Sequence, residues 1–157
     1  MPARVCVQRE DFDVAAEMAL IARESRNIGA IATFTGLCRD EGGRLAALEL
    51  EHYPGMAEEE IARVSEQAMS RWPIDALTVI HRFGKIEPGG QIVFVAAAAS
   101  HRAAAFAGAE FLMDYLKTRA PFWKKEHPVE GPASEWVAAR DEDDSAMARW
   151  ETGDQTP

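Results

Sequence analysis

The chain has 157 residues, 47% hydrophobic and 27% charged, with a formal net charge of -9 at pH 7. These proportions are those of one soluble globular domain, 1–157, long enough to bury a core. The acidic balance argues against a nucleic-acid or membrane-surface binder, and no apolar run approaches the roughly 20 residues needed to span a bilayer.

Met1 to Glu10 carries no basic-then-apolar signal pattern, so the chain reads as cytosolic. Val5 to Gln8 predicts a short strand, and Asp13 caps a helix running to about Arg23. Ile28 to Cys38 alternates like a strand, with Ala30, Ala32 and Phe34 on one face and Ile31, Thr33 and Thr35 on the other. After the turn-rich stretch Arg39 to Arg44, a second strand runs to about Tyr53, with Leu48, Leu50 and His52 facing one way. Pro54-Gly55 opens a helix striped by Ala57, Ile61, Val64, Ala68 and Trp72, which Pro73 ends.

Ile74 to Phe83 and Gln91 to Ala98 predict apolar strands joined by Glu87-Pro88-Gly89-Gly90. A helix from His101 to about Arg119 follows. The tail is weaker, with a strand signal at Trp136-Val137, an acidic cluster at Asp141 to Asp144 that reads as a solvated face, and a short helix ending near Trp150. Two hairpin-like strand pairs and no regular βαβ alternation predict an α+β fold with a largely antiparallel sheet.

The densest chemistry lies in Lys117-Thr118-Arg119-Ala120-Pro121-Phe122-Trp123-Lys124-Lys125-Glu126, which gathers four cations in an acidic chain. Positive charge concentrated in this way suits an anion. Ser100 is placed to cap the preceding helix, whose free N–H groups beside His101 and Arg102 would form a second anion site. Arg102, Phe106, Ala109, Met113 and Lys117 follow helical spacing along one face, with the middle predicted to be core. Arg102 and Lys117 are fifteen residues apart, about 22 Å along a helix. No small ligand spans that distance, so a shared site requires two chains and predicts a symmetric dimer.

Pro121 stops the helix and turns the chain so that Lys124 can return toward Lys117. Mutual repulsion and burial lower a lysine pKa, while the C-terminal end of the helix dipole raises it; the two effects oppose each other here. Arg39, at a strand end, can reach over such a site, and Phe34 offers an aromatic wall. Cys6 and Cys38 are distant and form no CxxC pair, and the four histidines have no ligand spacing. Neither a disulfide framework nor a metal centre is predicted.

Five segments in order, Phe34-Thr35-Gly36-Leu37-Cys38-Arg39, Tyr53-Pro54-Gly55-Met56-Ala57, His81-Arg82-Phe83-Gly84, Ser100-His101-Arg102 and the run Lys117 to Glu126, closely resemble the catalytic (large) subunit family of molybdopterin synthase. The resemblance covers nearly the whole chain, with Arg140 in the tail. It implies an α/β-hammerhead fold and conversion of cyclic pyranopterin monophosphate (precursor Z) to molybdopterin, without a metal or cofactor of the chain's own. The implied sulfur source is the C-terminal Gly-Gly thiocarboxylate of a small ubiquitin-like subunit, in a heterotetramer built on a large-subunit homodimer.

By motif position, Lys117 and Lys124 resemble the catalytic lysines. Phe34, Arg39, Met113, Arg119, Glu126 and Arg140 resemble substrate-binding positions, with His101 and Arg102 presented by the neighbouring subunit. Cys38 stands where the family more often has valine and reads as a strand-end hydrophobe, not a sulfur carrier. The competing reading is a non-catalytic dimeric module that docks a ubiquitin-like partner or a phosphorylated ligand. A binding module needs the cations but no buried lysine facing Met113.

Overall fold

The computed structural model describes residues 3–119, 121–137 and 150. In chain order the elements are β1 (Arg4–Gln8), α1 (Val14–Ala22), β2 (Ala30–Leu37), β3 (Leu45–His52), α2 (Met56–Arg71), β4 (Ile74–Arg82), β5 (Gly84–Ile86), β6 (Gln91–Ala99), α3 (Arg102–Thr118) and β7 (Phe122–Pro128). The fold is α+β. One sheet has the order β1-β4-β6-β2 and the other β5-β3-β7; all pairings are antiparallel except β1 with β4.

Local chemistry accounts for the helix ends. The Asp13 carboxylate accepts from the Ala16 N–H at 3.1 Å and starts α1. Gly55, at φ +86, makes the entry bend of α2, and the Glu58 carboxylate reaches back to its N–H at 2.9 Å. Pro73 then forces Trp72 into the extended region, at φ -131, and α2 stops.

The first sheet is covered on both faces. Leu77, Val79, Val95 and Ala97 pack with Ile61, Val64, Ala68, Ala105 and Leu112 of α2 and α3. Ala76, Ile80, Phe94 and Ala98 pack instead on Phe12 and Ile21 beside α1. Burial on both faces explains why β4 and β6 are continuously apolar rather than alternating. Each Val, Leu or Ile so buried contributes about 1.5–3 kcal/mol. Where β2 approaches the start of α3, Gly29 is needed, because a Cβ there would lie 2.3 Å from the Ser100 carbonyl oxygen.

Four points correct or sharpen these expectations. First, β2 and β3 are not a hairpin: β2 pairs with β6, while β3 crosses into the second sheet between β5 and β7. Positive φ at Glu41, Gly42 and Gly43 turns the chain between them, held by Leu45 N–H on the Asp40 carbonyl at 2.9 Å. Second, Gly84–Ile86 forms its own strand, β5, after Gly84 (φ +90) bends the chain out of the first sheet.

Third, Phe122–Pro128 is a full strand, with Leu50 opposite Lys124. Its NH and C=O groups find partners on β3, which period-based reading assigned no neighbour on this side. Fourth, among the described residues the strand signal at Trp136-Val137 amounts to an isolated bridge between Val137 and Lys124. Arg140, the Asp141–Asp144 cluster and the tail helix lie outside the described residues, apart from Trp150. That residue is fully buried, edge-on to Trp72 and Phe111. No helix among the described residues is long and apolar enough to cross a membrane.

Candidate active site

A cavity of about 400 Å³ opens where α3 ends, where the loop after β2 turns and where β7 departs. Leu45, Leu48, Leu50, Ile92 and Val93 give it an apolar floor. Three segments bring polar groups to it: Arg39 and Glu41 from the loop, Lys117 and Thr118 from α3, and Lys124 and Glu126 from β7. Met113, one helical turn before Lys117, is half-buried in the same wall.

The sequence between the two lysines makes this convergence. The Thr118 hydroxyl donates to the Asp114 carbonyl at 2.6 Å, and the Arg119 N–H caps the Tyr115 carbonyl at 2.8 Å. The helix therefore closes at Arg119, and the chain returns as β7 after Pro121. Lys124 is held in place by paired backbone bonds with Val137, at 3.1 and 2.7 Å, as well as by β3. Arg39 forms an ion pair with Glu41 at 3.5 Å, and Glu41 also takes Arg44 at 3.3 Å. Arg39 remains largely exposed, so that pair adds little stability and leaves the guanidinium available to an incoming anion.

The four cations of the Lys117 to Glu126 run do not share one patch. Lys117 and Lys124 line this cavity, while Arg119 lines a second one with Glu60, Arg63, Arg71 and Tyr115. Lys125 points to the other face of β7, its ammonium 4.5 Å from the centre of the Trp136 ring. Strand alternation separates 124 from 125, and the helix end turns Arg119 away.

Other predicted residues lie elsewhere in the chain. Phe34 is exposed on the edge strand β2, paired with Val95, and does not line the cavity. His101 and Arg102 are exposed at the opposite end of α3, and because α3 is unbroken the separation of about 22 Å from Lys117 stands. Ser100 does not cap that helix. His101 occupies the cap position without a side-chain bond, and the Ser100 hydroxyl instead accepts from the Asn27 amide at 2.6 Å. The stripe from Arg102 to Lys117 is core at Ala109, with Met113 packed against it, but Phe106 is 58% exposed and Lys117 is exposed as well. The more deeply buried face runs through Ala105, Leu112 and Leu116.

Cys38 lines the cavity but is 4% exposed, and burial pushes its thiol up. It stays protonated near neutral pH, which suits a hydrophobe more than a nucleophile. Among the described residues, no three His, Cys, Asp or Glu side chains cluster as metal ligands.

One cavity residue, His81, was not singled out as a site residue from sequence. It continues the row Leu77, Val79 on the helix-covered face of β4, and at 7% exposure it ends against Phe122. A histidine at a period-2 core position of an apolar strand was the signal available. Its pKa is lowered to about 4, by burial first and further by the charge of Lys117 and by His52. The His52 ring also stacks with Phe122, at 5.9 Å, and meets Phe83 at 4.4 Å.

Residues 7–119 match the family described as MoaE protein. The molybdopterin synthase catalytic subunit of Brucella melitensis is 59% identical over 96% of this chain and 92% of its own length. The Rhizobium meliloti protein of the same name is 60% identical over 95% and 96%. Among solved structures, molybdopterin cofactor biosynthesis protein E from Burkholderia multivorans superposes with a TM-score of 0.83 at 51% identity, covering 96% of this chain and 98% of its own.

Proposed function

The chain belongs to the MoaE protein family of molybdopterin synthase catalytic subunits, and from that premise we propose how its cavity carries out the reaction. As a member it is an enzyme of molybdenum-cofactor biosynthesis that converts precursor Z to molybdopterin. In our reading the cavity ending α3 is where sulfur is transferred. The observation that carries this is the meeting of Arg39, Lys117 and Lys124 over an apolar floor.

The donor is the C-terminal thiocarboxylate of a small ubiquitin-like carrier subunit, whose extended tail enters the cavity. Its sulfur bonds to a side-chain carbon of the pyranopterin as that carbon's C–O bond breaks, the oxygen leaving with the opened cyclic phosphate in one round and as water in the other. Water then cleaves the carrier's C–S bond to leave an ordinary carboxylate. Two rounds supply the two sulfurs of a dithiolene. Lys117 meets the donor carbonyl, where its ammonium stabilises developing negative charge and can return a proton. Lys124, Arg39 and Glu126 orient the tail and substrate, and Met113 supplies an apolar wall.

His101 and Arg102 serve the cavity of a second copy, since α3 holds them about 22 Å from their own Lys117. Phe34 and Phe106, 41% and 58% exposed, supply apolar surface for that homodimer. With a carrier on each side the assembly is a heterotetramer. By motif position Arg140 is assigned to substrate phosphate in this assembly, whereas Arg119 lines a different cavity.

The test is to incubate the purified chain with thiocarboxylated carrier and precursor Z and to assay for dithiolene product. Product formation supports the reading; binding of both without product leaves only a docking module.

A further inference from the structure

We propose that His81 is a ligand-contacting hydrogen-bond acceptor of this cavity, its Nε2 lone pair receiving an N–H or O–H of the bound pterin. The inference rests on the reading that the cavity takes a pterin, and adds a residue to its recognition.

The tautomer follows from geometry. His81 Nδ1 lies 2.9 Å from the Arg82 carbonyl oxygen, which can only accept, so Nδ1 carries the proton. In a neutral ring Nε2 is then a bare acceptor on the opposite edge. Among the described residues no atom donates to Nε2, and the ring lines the cavity. Phe122 fixes the ring plane, stacked at 3.9 Å and 15°, while the Arg82 bond fixes which edge faces inward.

The surroundings keep the ring neutral. Lys117 approaches from α3, Lys124 and Glu126 from β7, His52 from β3, and Arg39 and Glu41 from the loop after β2. Burial and the Lys117 charge lower the His81 pKa to about 4, far below working pH. Arg39, Lys117 and Lys124 only donate, and Glu41 is engaged by Arg39 and Arg44, so His81 joins Glu126 as an acceptor for a ligand whose ring nitrogens carry protons.

Two substitutions separate the roles of the two nitrogens. His81→Asn keeps a donor for the Arg82 carbonyl but has no atom at the Nε2 position, whereas His81→Gln can place its amide oxygen there. Calorimetric titration with precursor Z should show His81→Asn weakened roughly tenfold, the scale of one lost hydrogen bond, and His81→Gln restored to within about threefold. The difference should hold from about pH 6 to about pH 8.5, since His81 does not titrate there. Asn binding like wild type, Gln no better than Asn, or a difference that vanishes above neutral pH would overturn the inference.

Long-range proton–nitrogen spectra of the unmodified chain check it independently of any folding defect. The Nδ1–H tautomer should persist across that range, and the Nε2 resonance should move on adding precursor Z. An Nε2–H tautomer or an unmoved resonance refutes the assignment. If wild type binds precursor Z without making product, the proposed function falls and the binding data still decide His81. If wild type turns over and His81→Asn matches it, only this inference falls; if wild type does neither, both fall.

Discussion

The imidazole of His81 lies flat on the ring of Phe122, centroids 3.9 Å apart and planes 15° from parallel. His81 belongs to β4 of the first sheet and Phe122 opens β7 of the second, so the stack joins the two sheets at the cavity. Two residues beyond Phe122 stands Lys124. The position of that lysine thus depends on a contact between sheets as well as on its own strand.

Phe122→Ala should remove both the His81 and the His52 stacks. We expect a loss of about 2–3 kcal/mol, at or below the low end for a large aromatic because Phe122 is only half-buried. Urea denaturation measures the loss. Phe122→Leu should recover most of the stability but not the full turnover if ring stacking positions β7.

Lys117→Ala should reduce turnover by at least about a hundredfold while carrier binding survives. Retained turnover would remove Lys117 from its assigned role. The same change should let the His81 pKa rise, since the Lys117 charge helps to hold it down. Titration of the His81 ring by NMR reads that direction.

Dimers mixed from one Arg102→Ala chain and one Lys117→Ala chain should regain about half of wild-type activity. One of their two composite sites carries both lesions and the other neither. Mixed dimers as inactive as either parent would show that each chain builds its site alone.

Folding stability should fall as pH drops from about 6.5 toward 4. The unfolded chain protonates His81 near 6.5, whereas the folded chain resists until about 4. Stability from this group is therefore complete above 6.5 and lost through that window. At about 1.4 kcal/mol per pH unit the loss approaches roughly 3 kcal/mol. Denaturation at the two pH values should show a smaller difference in His81→Gln.

Gly29→Ala should destabilise by about 1–3 kcal/mol, because its Cβ would meet the rigid Ser100 carbonyl oxygen at 2.3 Å. Thermal melting checks it. An unchanged melting temperature would mean that β2 and the α3 entrance can separate freely.

The helices were legible because their information is local. Every member of the stripe Ala57, Ile61, Val64, Ala68 and Trp72 is buried, and Asp13 caps α1 through its own carboxylate. The strand partners were not. Residues 30–37 and 45–52 read as neighbours joined by a glycine turn, yet they entered different sheets, since pairing is chosen by surfaces distant in sequence. Ser100 looked like a cap and instead met Asn27, a partner 73 residues away.

For the site, sequence alone determined which side chains exist near the end of α3 and that Pro121 would turn the chain back there. It also determined that Arg102 and Lys117 sit at opposite ends of one helix, because helical rise is a local constant. Tertiary structure alone decided that Arg39, His81, Lys117 and Lys124 share a cavity, whereas Arg119 and Lys125 do not. The reason is physical: a cavity is made by elements from separate sheets meeting over a common core, and its electrostatics follow from that burial. Hence the four cations of Lys117 to Glu126, adjacent in sequence, take up different surroundings in the fold.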